Sequence, residues 1–232
     1  IVMVVYGIMY AMQPRAAAAV LAPMINIDLT LMTWIMALIF TVQALVGLKG
    51  IAAMNIVHAS FLYVGCVVVA VLAYVNVGSL DVVRETLGRE FLSFTQPSLQ
   101  SVIGTAAGSL FGFILSSTLV ANVYSAKSKK AANTGVLVAA ILVIVFALFP
   151  AFIGVAGKVM FPDAAGGTIL YTVADNFGPF VGGLASMAII AAVFSTAPAF
   201  LLTLSTTLTR DFYVTIVNKN ATEQQQLRCS KL

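Results

Sequence analysis

Six apolar stretches dominate the chain, at roughly 1–25, 31–48, 51–76, 101–125, 133–156 and 178–209. Each runs to about twenty residues or more, enough as a helix to cross ~30 Å of hydrocarbon. The polar residues gather between them. Asp28 stands in the first turn and Lys49 in the second, while 77–100 holds Asp81, Arg84, Glu85, Arg89 and Glu90. Lys127, Lys129 and Lys130 follow the fourth stretch, and Lys158, Asp163 and Asp175 follow the fifth. The pattern predicts an all-α integral membrane protein with about six transmembrane helices within 1–217 and a polar tail at 218–232. Inside 77–100, Leu80, Val83, Leu87 and Phe91 recur at helical spacing and predict a short amphipathic surface helix.

Composition sharpens this reading. Hydrophobic residues make up 61% of the 232 and charged ones 9%, where a soluble domain carries roughly a quarter charged. The expected surrounding is therefore a lipid bilayer. The net charge of +4 is too small to suggest a nucleic-acid partner, but its placement is informative. Alternate connections are basic, so the positive-inside rule puts Lys49, the 127–130 loop and the tail in the cytoplasm, with the N-terminal end on the same side. The expected location is the plasma membrane. Cys66 and Cys229 offer neither a disulfide framework nor a metal spacing. The single histidine, the lack of paired carboxylates in any span and the absence of a nucleotide-binding loop leave no catalytic constellation, so no enzyme is expected. The chain opens in mid-span without a starting Met, which reads as a central fragment of a longer protein.

The candidate chemistry lies in the sixth stretch, IIAAVFSTAPAFLLTLSTTLTRDFY over 189–213. One helical stripe, Ala188, Ala192, Ser195, Ala199, Thr203 and Thr206, is small or hydroxyl-bearing throughout. The opposite face, Ile190, Val193, Phe194, Leu201, Leu204 and Leu208, is bulky and reads as lipid-facing. Pro198 has no amide proton and leaves the carbonyl of Phe194 without its helical donor, beside the hydroxyls of Ser195 and Thr196. Neutral oxygens clustered at mid-membrane depth suit a dehydrated Na⁺. The alternative is local: Ser and Thr in such helices also bond back to their own backbone, and neighbours re-satisfy the groups a proline frees.

This stretch resembles the signature helix of the sodium:solute symporter family, which includes proline, pantothenate and sugar symporters. The matching elements are Ala191–Ala192, the pair Ser195 and Thr196, the cluster Ser205, Thr206 and Thr207, and the exit Asp211 and Tyr213. The resemblance implies that Ala192, Ser195 and Thr196 contribute to a sodium site. Pro198 departs from it, since the family more often has a small polar residue there. FTVQALVGLKGIAAMNIVHASF, at 40–61, resembles the family's glycine turn and cytoplasmic base in Gly47, Leu48 and Lys49. Asn55 stands where the family usually has an Asp that supports cation binding, and His58 where it usually has Gln. Asn55 keeps an oxygen but loses the charge. His58 either titrates, as the one side chain with an ordinary pKa near neutrality, or makes an interhelical hydrogen bond.

Two further spans carry polar residues. Gln13, Pro14 and Arg15 lie far from either end of the first, where a charge marks a function or snorkels to the interface. In the fourth, Gly104, Gly108 and Gly112 recur every four residues and precede Ser116, Ser117 and Thr118. That pattern predicts either close helix packing or a broken helix with solute near Gly112, Ser116 and Ser117.

The resemblance covers most of the chain. It implies part of a leucine-transporter-like inverted-repeat bundle of two five-helix repeats, with the first helix of one repeat and the closing helices of the other outside this chain. It implies Na⁺ as coupling ion and a small organic solute as cargo, moved by alternating access. Two readings compete: a symporter-like membrane sensor module of a signalling protein, and a proton-coupled variant working through His58.

Overall fold

The structure, a computed structural model, describes residues 2–88, 93, 98–114 and 117–231. Every regular element among them is helical: α1 (Val2–Ile25), α2 (Leu29–Ala44), α3 (Gly47–Val77), α4 (Leu80–Leu87), α5 (Leu99–Ile114), α6 (Ser117–Tyr124), α7 (Lys129–Met160), α8 (Ile169–Asp175), α9 (Pro179–Thr207) and α10 (Glu223–Cys229). A π-helical segment, Leu208–Val217, continues α9. Among the described residues, three helices are long and apolar enough to cross a membrane, at Gly47–Val77, Lys129–Met160 and Pro179–Val217, and Leu29–Ala44 is a shorter apolar helix. The chain forms two units, residues 1–62 with 186–232, and residues 63–185.

The first unit is built on the α1–α2 hairpin. Asn26 takes a left-handed φ of 54°, and the Asp28 carboxylate accepts from the backbone N–H of Thr30 and Leu31 at 2.9 and 3.0 Å. That cap answers two of the orphan donors at the start of α2. Ala17, Ala18 and Ala22 on α1 are small enough to let Met32, Met36 and Phe40 of α2 fill the space between the helices. Val193 and Ala197 of α9 close the same core. Tyr10 donates its hydroxyl to the Ala37 carbonyl at 3.2 Å, and Tyr6 meets Phe200 edge-on at 5.5 Å.

In the second unit, Tyr63 and Tyr74 of α3 meet Phe146 and Phe152 of α7 at 4.9 and 5.9 Å. The Tyr63 hydroxyl donates to the Leu142 carbonyl at 2.6 Å. The amphipathic stretch of 77–100 forms α4, with Ser79 as N-cap, Val83 fully buried and Gly88 ending it at φ 82°. Phe91, also assigned to that helix from spacing, lies outside the described residues. Most of α7 is bare: only Ile153, Ala156 and Gly157 are buried along it. Gly157 lies against α8, where a Cβ would overlap the Ile169 and Val173 side chains.

That contact gives a matched test. Gly157→Ala should destabilise by about 1–3 kcal/mol through overpacking. Gly154→Ala, where a Cβ meets nothing within 4 Å, should be neutral or stabilise by about 0.5–1 kcal/mol through the lower entropy of Ala. Thermal unfolding of the two variants in detergent reads the difference.

Candidate functional site

The hydroxyl stripe of α9 is arranged by its own helix. Ser195 donates Oγ–H to the Ala192 carbonyl at 2.8 Å, Thr196 donates to the same oxygen at 2.9 Å, and the two hydroxyl oxygens are 3.5 Å apart. Three oxygens therefore meet on one turn. Farther along, Thr203 donates to the Ala199 carbonyl and Thr206 to that of Leu202, both at 2.9 Å. Back-bonding to the preceding turn is how a hydroxyl finds a partner where water is scarce.

The surroundings are dry. Ala191, Val193 and Ala197 are buried on either side of the cluster, and Pro198 is among the most buried side chains of the chain. Here the structure corrects the lipid-facing reading of Val193 and Phe194. Val193 lies in the core with Met32, Met36 and Phe40. Phe194 meets Phe40 edge-on at 5.0 Å and the His58 ring at 6.0 Å. Val193 and Phe194 therefore meet neighbouring helices where a lipid-facing position was expected.

Asn55 and His58 are a turn apart on α3, on the face that also carries Ile51 and Met54. Asn55 Oδ1 and His58 Nδ1 are buried and make no hydrogen bond, and Gln43 Oε1 of α2 is in the same state. The Gln43 amide donates only to the Met54 sulfur, at 3.7 Å. Gln43 thus joins the candidate residues unannounced; its signal in the sequence was a carboxamide near the end of an apolar helix. Asn55 makes no hydrogen bond with Ser195 or Thr196, and the link between the two groups runs through the ring contact of His58 with Phe194.

Of the candidate solute residues, Gly112 alone is fully described. Gly112 is exposed on α5, and a Cβ there would meet nothing within 4 Å; the same holds at Gly104 and Gly108. Ser116 and the side chain of Ser117 lie outside the described residues. Arg15 is exposed, and the one ion pair among the described residues is Arg84 with Asp81 at 3.2 Å.

Comparison with known proteins adds one finding. The model of the sodium:solute symporter family matches residues 1–232. No curated protein and no solved structure matches the chain.

The unpaired acceptors carry a stability cost of about 1–3 kcal/mol each. Asn55→Leu, which removes one at similar volume, should therefore leave the melting temperature in sodium-free detergent unchanged or raise it. A clear drop would mean that Asn55 Oδ1 holds a structural partner.

Proposed function

The chain belongs to the sodium:solute symporter family, and from that premise we propose that Ala192, Ser195 and Thr196 hold the coupling Na⁺ during uptake of a small organic solute. The family and the apolar helices make it a multi-pass membrane protein. What supports the ion assignment is the meeting of the Ala192 carbonyl with the Ser195 and Thr196 hydroxyls, at 2.8 and 2.9 Å, on a part-buried turn just before the buried Pro198. Neutral oxygens at membrane depth compensate a monovalent cation for lost water without trapping it as a carboxylate would. Asn55, neutral and unpartnered, supplies polar support.

The ion acts by differential binding. A conformation that closes this cage binds Na⁺ more tightly, and occupancy shifts the population toward it by no more than that difference. The solute is taken near Gly112, Ser116 and Ser117, and alternating access carries both across. Basic residues at Lys49, in the 127–130 loop and in the tail orient those connections toward the cytoplasm. Six crossings within 1–217 satisfy that orientation.

A second reading replaces sodium by a proton carried on His58. It is favoured by the unpartnered Nδ1 beside Phe194.

Uptake by the full-length protein in proteoliposomes tests both. Ser195→Ala with Thr196→Ala should weaken the half-saturating sodium concentration at least about tenfold, equivalent to 1.4 kcal/mol. Unchanged sodium dependence would remove the assignment. Uptake driven by an imposed pH gradient without sodium, and lost in His58→Gln, would establish the proton reading instead.

A further inference from the structure

Where α9 passes into the π-helical segment, the apolar run ends and a polar cavity of about 350 Å³ opens. Its lining comes from the end of α9, the π-helical segment and α10: Thr206, Thr209, Arg210, Glu223, Gln226 and Ser230 are the polar members. Thr209 is only 3% exposed, and its hydroxyl has no hydrogen-bond partner. Arg210 and Glu223 bring opposite charges to the same walls, yet they form no ion pair. The Thr209 hydroxyl is a buried polar group without a partner, beside the exposed charges of Arg210 and Glu223.

The remaining bonds of the lining divide by type. Thr206 spends its proton on the Leu202 carbonyl, Ser230 its own on that of Leu227, and Gln226 its amide on that of Ala221. Thr206 and Ser230 keep acceptor oxygens only, while Gln226 keeps its Oε1 and one amide N–H. The other uncommitted donors are the Arg210 guanidinium and the Thr209 hydroxyl. The cavity therefore offers donors with a positive charge from the π-helical segment, and acceptors with a negative charge from α10. Outside the cavity the π-helical segment is greasy, with Leu208, Phe212 and Ile216 exposed.

We propose that this cavity binds the headgroup of a zwitterionic aminophospholipid of the phosphatidylethanolamine type, its phosphate on Arg210 and Thr209 and its ammonium on Glu223 and the neighbouring oxygens. The acyl chains lie along Leu208, Phe212 and Ile216. A guanidinium suits a phosphate through charge-assisted hydrogen bonds, and a primary ammonium has three protons for the acceptors of α10. Glu223 is the selective element: it attracts a headgroup amine and repels a headgroup that is purely anionic. The position at the end of an apolar span is where headgroups lie.

α10 is held in place for this. Thr222 and Gln225 cap it reciprocally, at 3.3 and 2.9 Å. The Ser205 hydroxyl donates to the Ser230 carbonyl, which ties the end of α10 back to α9.

The test is thermal stabilisation of the purified full-length protein in detergent, titrated with short-chain phosphatidylethanolamine, phosphatidylglycerol or soluble phosphoethanolamine. The wild type should be stabilised at lower concentrations of phosphatidylethanolamine than of phosphatidylglycerol, and phosphoethanolamine should act far more weakly. Arg210→Gln should raise the concentration of phosphatidylethanolamine required by about fivefold, the effect of one basic residue at an anionic headgroup. Glu223→Gln should abolish or invert the preference over phosphatidylglycerol. Equal responses of wild type and Arg210→Gln would overturn the proposal, as would a preference unaltered by Glu223→Gln. Phosphoethanolamine acting as strongly as the lipid would overturn the lipid as ligand. Each readout is stability without sodium or solute, so the outcome is separable from that of the transport experiment.

Discussion

Hydrocarbon offers no hydrogen bonds, so each polar group carried into it must find its partner within the protein. That constraint orders the first unit. Thr33, Thr41, Ser60, Thr203 and Thr206 all bond to a carbonyl of their own helix. Ser195 and Thr196 obey the same rule but share one acceptor, the Ala192 carbonyl. The Ala37 carbonyl is shared in the same way by Tyr10 and Thr41; at Ala192 both hydroxyls come from the carbonyl's own helix, so the three oxygens lie on a single turn.

The packing around that turn follows from small side chains. Ala17, Ala18 and Ala22 bring α1 close to α2, and Ala191 and Ala197 flank the oxygen cluster on α9. The bulky partners, Met32, Met36, Phe40 and Phe194, then interdigitate above them. Since lipid is as apolar as a leucine side chain, such helices are held by close contact and by the few polar ties available. Tyr10 to Ala37 is one of those ties, and in the second unit Tyr63 to Leu142 is another. The bare length of α7 has the reverse character: large apolar side chains such as Leu137, Ile144 and Leu148 are exposed along it, which suits lipid or further helices.

Paired and unpaired polar groups divide along the same line. The alcohols of the membrane helices are mostly satisfied within one turn. The carboxamide oxygens of Gln43 and Asn55, and the imidazole Nδ1 of His58, are buried without a bond, and so is the hydroxyl of Thr209. Long or rigid side chains do not reach their own backbone as Ser and Thr do. They wait for a partner from elsewhere, and groups of that kind mark binding positions more often than packing.

Much of this was readable from the chain alone. Long apolar runs with nearly all charges between them, Arg15 excepted, point to helices in a bilayer, which satisfy the backbone within each segment. The α9 hydroxyl pair and Asn55 were visible because polar residues in such runs are few. The surface helix α4 was visible because Leu80, Val83 and Leu87 keep a 3.6-residue period. Periodicity failed for Val193 and Phe194, since it assigns one buried face to a helix and α9 is packed on more than one. Gln43 came to Met54 across the short turn between α2 and α3, and His58 to Phe194 through a contact between helices far apart in sequence. Thr209 and Arg210 came to line one cavity with Glu223 because α10 lies against the π-helical segment. Local spacing decides which residues share a helix face; only packing decides what that face meets.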